Sequence, residues 1–121
     1  MKRILLMAVL VIFIACSEAE KSPTETAKIV VESFYEKDLP TLKEYTTEES
    51  YQAFMNIQDL FPAAEDENSN FKVVQEMEVG DIAWVKFTTA YEEQPETFKL
   101  IKEGGRSWKV TEIGMGEKAP F

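Results

Sequence analysis

The residues of this chain that could carry chemistry are few. It has no histidine, and its one cysteine is Cys16. Without an imidazole there is no Ser-His or Cys-His pair, because the usual general base is missing. Zinc sites need several His or Cys ligands, and a lone thiol forms no internal disulfide. What remains is tyrosine and carboxylate. Tyr35, Tyr51 and Tyr91 could turn polar tips inward beside Thr89 or Glu92. There a hydroxyl near a carboxyl of raised pKa can hold a ligand carbonyl and help move a proton. The same rings serve equally well as core or rim residues whose hydroxyls reach water. Together with Phe54 and Phe87 the three tyrosines are the residues expected to line an apolar ligand pocket. Asp66, Asn68 and Asn70 have the first spacings of a calcium loop. Phe71 stands where that loop needs Gly, however, and Met77 where it needs a bidentate Glu, so the stretch reads as an acidic loop. No metal or cofactor is expected.

Cys16 has a different reading. Met1-Lys2-Arg3 is a short basic start, followed by twelve apolar residues from Ile4 to Ala15. A charged start, a short apolar run and a small residue form the layout of a secretory signal peptide. About 20 apolar residues are needed to span a bilayer as a helix, so this run is too short to be a stable anchor. Phe13-Ile14-Ala15-Cys16 resembles the lipobox of bacterial lipoproteins. The resemblance implies a signal peptide over 1–15, cleavage before Cys16, a diacylglyceryl group on its sulfur and a lipidated tether over 16–21. It implies a place in the cell envelope, held to a bacterial membrane by lipid. In a Gram-negative cell that would be the outer membrane or cell surface, since Ser17-Glu18-Ala19-Glu20 is similar to an acidic surface-export signal. Two or more acyl chains hold firmly where one holds marginally.

The segment from Cys16 onward has 106 residues, one domain's worth, expected to bury roughly 60–65% of its unfolded surface. Lys2 and Arg3 belong to the leader, so that segment holds 11 basic residues against 22 acidic ones, a net charge of about −11. Such a field repels nucleic acid, which needs basic side chains at its phosphates.

A single domain over 22–121 must position these residues. Ser22-Pro23-Thr24-Glu25 has the form of a capping box with Pro at the first turn. Behind it Ala27, Val30, Val31, Phe34 and Tyr35 recur at i, i+3, i+4, i+7 and i+8, one apolar helix face ending near Lys37. Asp38-Leu39-Pro40 starts a short second helix. Thr46 or Thr47 caps a third, with Tyr51, Ala53, Phe54, Met55, Ile57, Leu60 and Phe61 apolar on most sides. That distribution predicts burial on more than one face, up to the stop before Pro62.

From Phe71 the period becomes two. Strands are predicted over 71–78, 82–92, 96–103 and 107–113, with hairpins at 79–81 and 104–106. Three-residue loops would place Leu100 opposite Val110, and Val73 and Met77 beside Phe87 and Ala83. The inward face would then carry Val73, Met77, Ala83, Val85, Phe87, Phe98, Leu100, Trp108 and Val110. Ile82, Trp84 and Ile101 would form an apolar patch on the other face, a candidate interface unless the ends of helices or the C-terminal tail, with Met115 and Phe121, cover it. Helices followed by an antiparallel meander give an α+β fold, N-terminal helices on one face of a curved four-stranded sheet.

The order of elements, with Thr26-Ala27…Phe34-Tyr35, Tyr45-Thr46-Thr47, Val79-Gly80-Asp81-Ile82-Ala83-Trp84-Val85 and Leu100-Ile101-Lys102-Glu103-Gly104-Gly105…Trp108-Lys109-Val110, resembles the nuclear transport factor 2-like (cystatin-like) superfamily. Within it the chain is similar to small lipoproteins of the domain-of-unknown-function 4878 type. The resemblance covers residues 22 to 113 and implies a cone of helices over a curved sheet. Members of the superfamily include many that bind small molecules or dimerise, so the resemblance implies a homodimer or a small-molecule ligand. The Asp and His of the superfamily's enzymes have no counterpart here. With an apolar long helix facing an apolar sheet, a non-catalytic domain that binds a small apolar ligand or an envelope protein is therefore the expected function. A His-free isomerase or dehydratase using Tyr and carboxylate groups is the alternative.

Overall fold

A computed structural model describes residues 21–64, 68–105 and 107–121. Cys16, the leader before it, the tether up to residue 20 and Asp66 lie outside the described residues.

Helix α1 spans Pro23–Glu36. Its capping box is complete: Glu25 N donates to Ser22 Oγ at 3.1 Å, and Ser22 N donates to Glu25 Oε1 at 2.9 Å. Ala27, Val30, Val31, Phe34 and Tyr35 are all buried, as their spacing requires. Lys37 ends the helix in the left-handed conformation, φ 63°. Helix α2, Leu39–Glu44, is capped by Asp38 and sends Leu42 into the core. Helix α3, Glu48–Ile57, is capped by Thr47.

The sheet is a four-stranded antiparallel meander in the order β1-β2-β3-β4, made of Lys72–Val79, Ile82–Thr89, Glu92–Glu103 and Ser107–Thr111. With the helices it makes an α+β fold. The backbone of Tyr45 and Thr47 bonds to both sides of Val110, which seals the β4 edge. Helix α1 packs chiefly over β2 and β4. The core lies between them: Ala83, Val85, Phe87, Leu100, Trp108 and Val110 are buried, and Phe98 is half-buried.

The hairpin at 104–106 has three residues, and Leu100 pairs with Val110 as expected. At the other hairpin the expectation fails. Val79 pairs directly with Ile82, so only Gly80 and Asp81 form the loop. Gly80 has φ 62°, the left-handed first position of a type II′ turn, which Gly adopts without a steric penalty. The shorter loop slips the register by one residue. Met77 faces Trp84 on the outer side, while Glu76 and Glu78 face Val85 and Ala83. A bulge between Val73 and Gln75 then undoes the slip, and Val73 meets Phe87 after all. Every residue of β1 is nonetheless exposed, Val73 and Met77 included. Helix α1 packs over β2 and β4 rather than over this strand, which it meets through Thr24 Oγ1 donating to Glu76 Oε1 at 2.8 Å.

Several further boundaries differ. Strand β2 ends at Thr89 rather than 92, strand β4 at Thr111 rather than 113, and strand β3 begins at Glu92 rather than Glu96, running through Pro95. Strand β4 stops opposite Lys99, so Pro95 has no neighbour on that side and its missing N–H breaks no ladder. Helix α3 stops at Ile57, followed by a 3-10 turn over Gln58–Leu60. Its expected burial on several faces is not found. Ser50 is its only buried residue, Ile57 is 40% exposed and Leu60 75%. The helix lies over the end of β4, and past Thr111 there is no strand to receive its last turn.

Candidate functional site

Two hollows deserve chemical description, on opposite sides of the aromatic core. The first is a groove of about 370 Å³ between α3 and the sheet, lined by Ala53, Phe54, Ile57, Phe98 and Ile113, with Thr97, Lys99, Thr111 and Glu112 at its rim. It exists because β4 ends early while α3 continues past it. Its floor is firm. Phe54 packs against Phe34 (5.2 Å between centroids) and Phe98 (6.2 Å), and Phe98 against Phe87 (4.9 Å). An opening with an apolar floor and a few polar rim atoms suits a small apolar molecule or an apolar side chain.

The second hollow, about 360 Å³, is lined by Tyr35, Phe61, Pro62, Ala63, Ala64, Ala90, Tyr91 and Glu92. Tyr35 comes from the last turn of α1 and Tyr91 from the β2–β3 turn. Their rings stack at 4.2 Å. Ala64 N donates to Tyr35 O at 2.9 Å, which ties the loop to the helix. Tyr35 Oη donates to Glu92 Oε2 at 2.9 Å. Burial first, then this bond to Glu92 and the nearby charge of Glu96, raise the Tyr35 pKa above the ordinary phenol range. Glu96 has its own carboxyl pushed up, by burial first and by Glu92 second. One of its oxygens, Oε2, is shut off from water without a hydrogen-bond partner.

The five residues expected at one ligand site are thus divided. Tyr35 and Tyr91 meet at the second hollow and Phe54 lines the first. Phe87 is fully buried between Phe71 and Phe98 and reaches neither. Tyr51 lies elsewhere, beneath Lys43 Nζ at 5.8 Å, in a polar hollow with Glu48, Gln52 and Lys109. Sequence reasoning overlooked Glu96, although a signal was available. Counting back by two from Leu100 and Phe98 along the inward face reaches Glu96. Ala53, Ile57 and Ile113 were overlooked because their role depends on where β4 stops.

Comparison with family models, with curated proteins and with solved structures yields no match.

The expected outer patch is divided as well. Ile82 is 39% exposed and Ile101 half-buried, whereas Trp84 is only 7% exposed. Met115, expected as a cover, is fully exposed. The indole is roofed instead by Lys99, whose Nζ stands 5.8 Å from the ring centroid. Among the described residues there is no cluster of three or more His, Cys, Asp or Glu that could hold a metal ion. No helix among them is long and apolar enough to cross a membrane.

Proposed function

We propose that this chain is a lipid-anchored envelope protein whose domain binds, without catalysis, a small apolar ligand or another envelope protein in the groove between α3 and the sheet. The observation that carries the binding reading is the state of α3. Ile57 stands 40% exposed beside the half-buried Phe54 of the floor, and covering their remaining apolar surface is favourable by roughly 25 cal/mol per Å². The fold belongs, in this reading, to the cone type of the nuclear transport factor 2-like superfamily, and to its lipoprotein branch of the domain-of-unknown-function 4878 type. The element order and the sheet meander support it. The anchor rests on the lipobox-like Phe13-Ile14-Ala15-Cys16.

Each half has its own test. Protein isolated from the native envelope should begin at Cys16 and carry a diacylglyceryl mass, and a chain retaining residues 1–15 would defeat the anchor. The methyl resonances of Ala53, Ile57 and Ile113 should shift on titration with apolar small molecules or an envelope extract. Shifts confined to other methyls would end the groove reading.

The second reading, a His-free isomerase or dehydratase, is favoured by one observation. The Tyr35 hydroxyl is hydrogen-bonded to Glu92 at the second hollow, and Glu96, whose carboxyl is pushed up by burial, lies close enough to act on both. Its test is hydrogen–deuterium exchange next to the carbonyl of small ketones in heavy water, with Glu92→Gln as control. Exchange equal in the variant and the parent removes this reading.

A further inference from the structure

The outer face of the sheet differs in charge from the rest of the molecule. Strand pairing places Lys72, Lys86 and Lys99 there with Met77, Ile82 and Trp84, while Glu76 and Glu78 fall on the helix side. The outer acids Glu48, Glu49 and Glu103 gather apart from them, around a cleft at the β4 end. The middle of the face is therefore basic and apolar in a chain of net charge −9.

That middle is already partly covered. After β4 the chain turns at Gly114–Glu117, with Glu117 N donating to Gly114 O at 2.9 Å. Gly116 has φ 81°, as the third residue of a type II turn requires. Both Glu117 carboxylate oxygens accept from Lys99 Nζ, at 2.9 and 2.8 Å, and Gly114 N donates to the same carboxylate at 2.8 Å. Lys99 in turn lies over Trp84. Beyond Glu117 the tail has no regular structure, and its burial alternates: Ala119 and Phe121 are half-buried, Lys118 and Pro120 exposed. One side of a carboxylate-then-apolar segment thus rests against the protein.

We propose that the middle of the outer sheet face is a docking surface for an extended acidic–apolar peptide segment of a partner protein, and that the C-terminal tail occupies it in cis. Glu117 shows that the face accepts a carboxylate at Lys99, and the alternating burial of Ala119 and Phe121 fits an extended segment with its apolar side chains on one side. Met77 and Ile82, each 39% exposed beside Trp84, are the foothold from which a partner displaces it. A tethered occupant acts at an effective concentration of about millimolar, so the free protein keeps the face closed. Lys99 also stands at the rim of the α3 groove, but Trp84, Met77 and Ile82 do not line it, so the Trp84 resonance and the Ala53 and Ile57 methyls report on the two sites separately.

The test uses the full-length chain carrying Glu117→Lys, which repels Lys99, and a synthetic peptide of residues 112–121 as probe. The Trp84 indole resonance should move toward its exposed position in the variant. The variant should bind the peptide roughly tenfold or more tighter than wild type does. Adding Lys99→Glu should abolish binding, as should a Glu→Gln change at the peptide's Glu117 position. Glu117→Gln is the milder variant should Glu117→Lys not fold. An unmoved Trp84 resonance in a folded variant, or equal peptide affinity for variant and wild type, overturns the proposal. So does binding of the variant to anionic phosphatidylglycerol vesicles with no measurable affinity for the peptide, which would make the face a lipid surface.

Discussion

Helices α1 and α3 are both rich in apolar residues, yet one is built into the core and the other rests on its edge. In α1 the large side chains fall on one stripe, and Ala27, Val30, Val31, Phe34 and Tyr35 are all buried. In α3 Tyr51, Ala53, Phe54, Met55 and Ile57 also fall on one side, with Glu49, Gln52 and Asn56 opposite. The difference lies in what that side meets: α3 lies over the end of β4, with no strand past Thr111 beneath its last turn, so only Ser50 is buried and Phe54 alone packs into the aromatic cluster. Position over the sheet, rather than apolar content, decides which helix becomes core. The helix at the end of the sheet borders the groove because its apolar side is only partly covered within the fold.

Truncations should bring out this contrast most sharply. Phe34 is 4% exposed and touches Tyr35, Phe54 and Phe61 edge-on or tilted at 5.1 to 5.5 Å. Phe34→Ala should cost about 3–5 kcal/mol in urea unfolding. Ile57→Ala, at a residue 40% exposed, should cost less than about 1 kcal/mol. Equal losses at the two positions would mean that α3 is core after all.

The junction between the helices offers a smaller, separable effect. Lys37 Nζ donates to Gln58 O and Phe61 O, both at 2.9 Å, joining the end of α1 to the turn after α3. The same residue bears a left-handed backbone, φ 63°. Lys37→Met should lose the clamp, about 1.5–3 kcal/mol, and keep the strained backbone. Lys37→Gly should lose the clamp and relieve the strain, ending about 1 kcal/mol more stable than Lys37→Met. If Lys37→Gly is instead the worse of the two, the backbone argument fails.

How much of this was readable from sequence follows from where each constraint is local. The α1 cap and stripe, a cap at Thr46 or Thr47 and the Leu100–Val110 register each depend on a few neighbouring residues, and all were legible. The two-residue turn at Gly80-Asp81 and the compensating bulge at Val74 were not. Apolar pairing favoured Met77 over Ala83, but no helix covers that part of β1 to reward it. The early ends of α3 and β4 were hidden for the same reason, since both depend on the tertiary edge they create. At the candidate sites the chemistry was legible as residue types, Tyr and Glu without His. Which tyrosine meets which carboxylate was not, because that depends on the turn joining β2 to β3.

The smallest expected effect compares two carboxyls on opposite faces, whose shifts have opposite sign. Glu96 is raised, so the folded protein keeps its proton to higher pH than the unfolded chain does. Its contribution is complete below the ordinary Glu range, about pH 4, and is lost as pH rises through the folded value. Glu117 is lowered, by the hydrogen bond from Lys99 first and that from Gly114 N second. Its contribution is present above the ordinary range and is lost as pH falls through the folded value. Glu96→Gln should therefore raise Tm relative to wild type at pH 7, by the equivalent of about 0.5–1 kcal/mol, and little at pH 4. Glu117→Gln should lower Tm slightly at pH 7 and converge with wild type in acid, because Lys99 then faces an uncharged partner in both proteins. Parallel pH profiles for the two variants would show that neither carboxyl has the environment described, and that the two faces of the sheet do not differ as their side chains indicate.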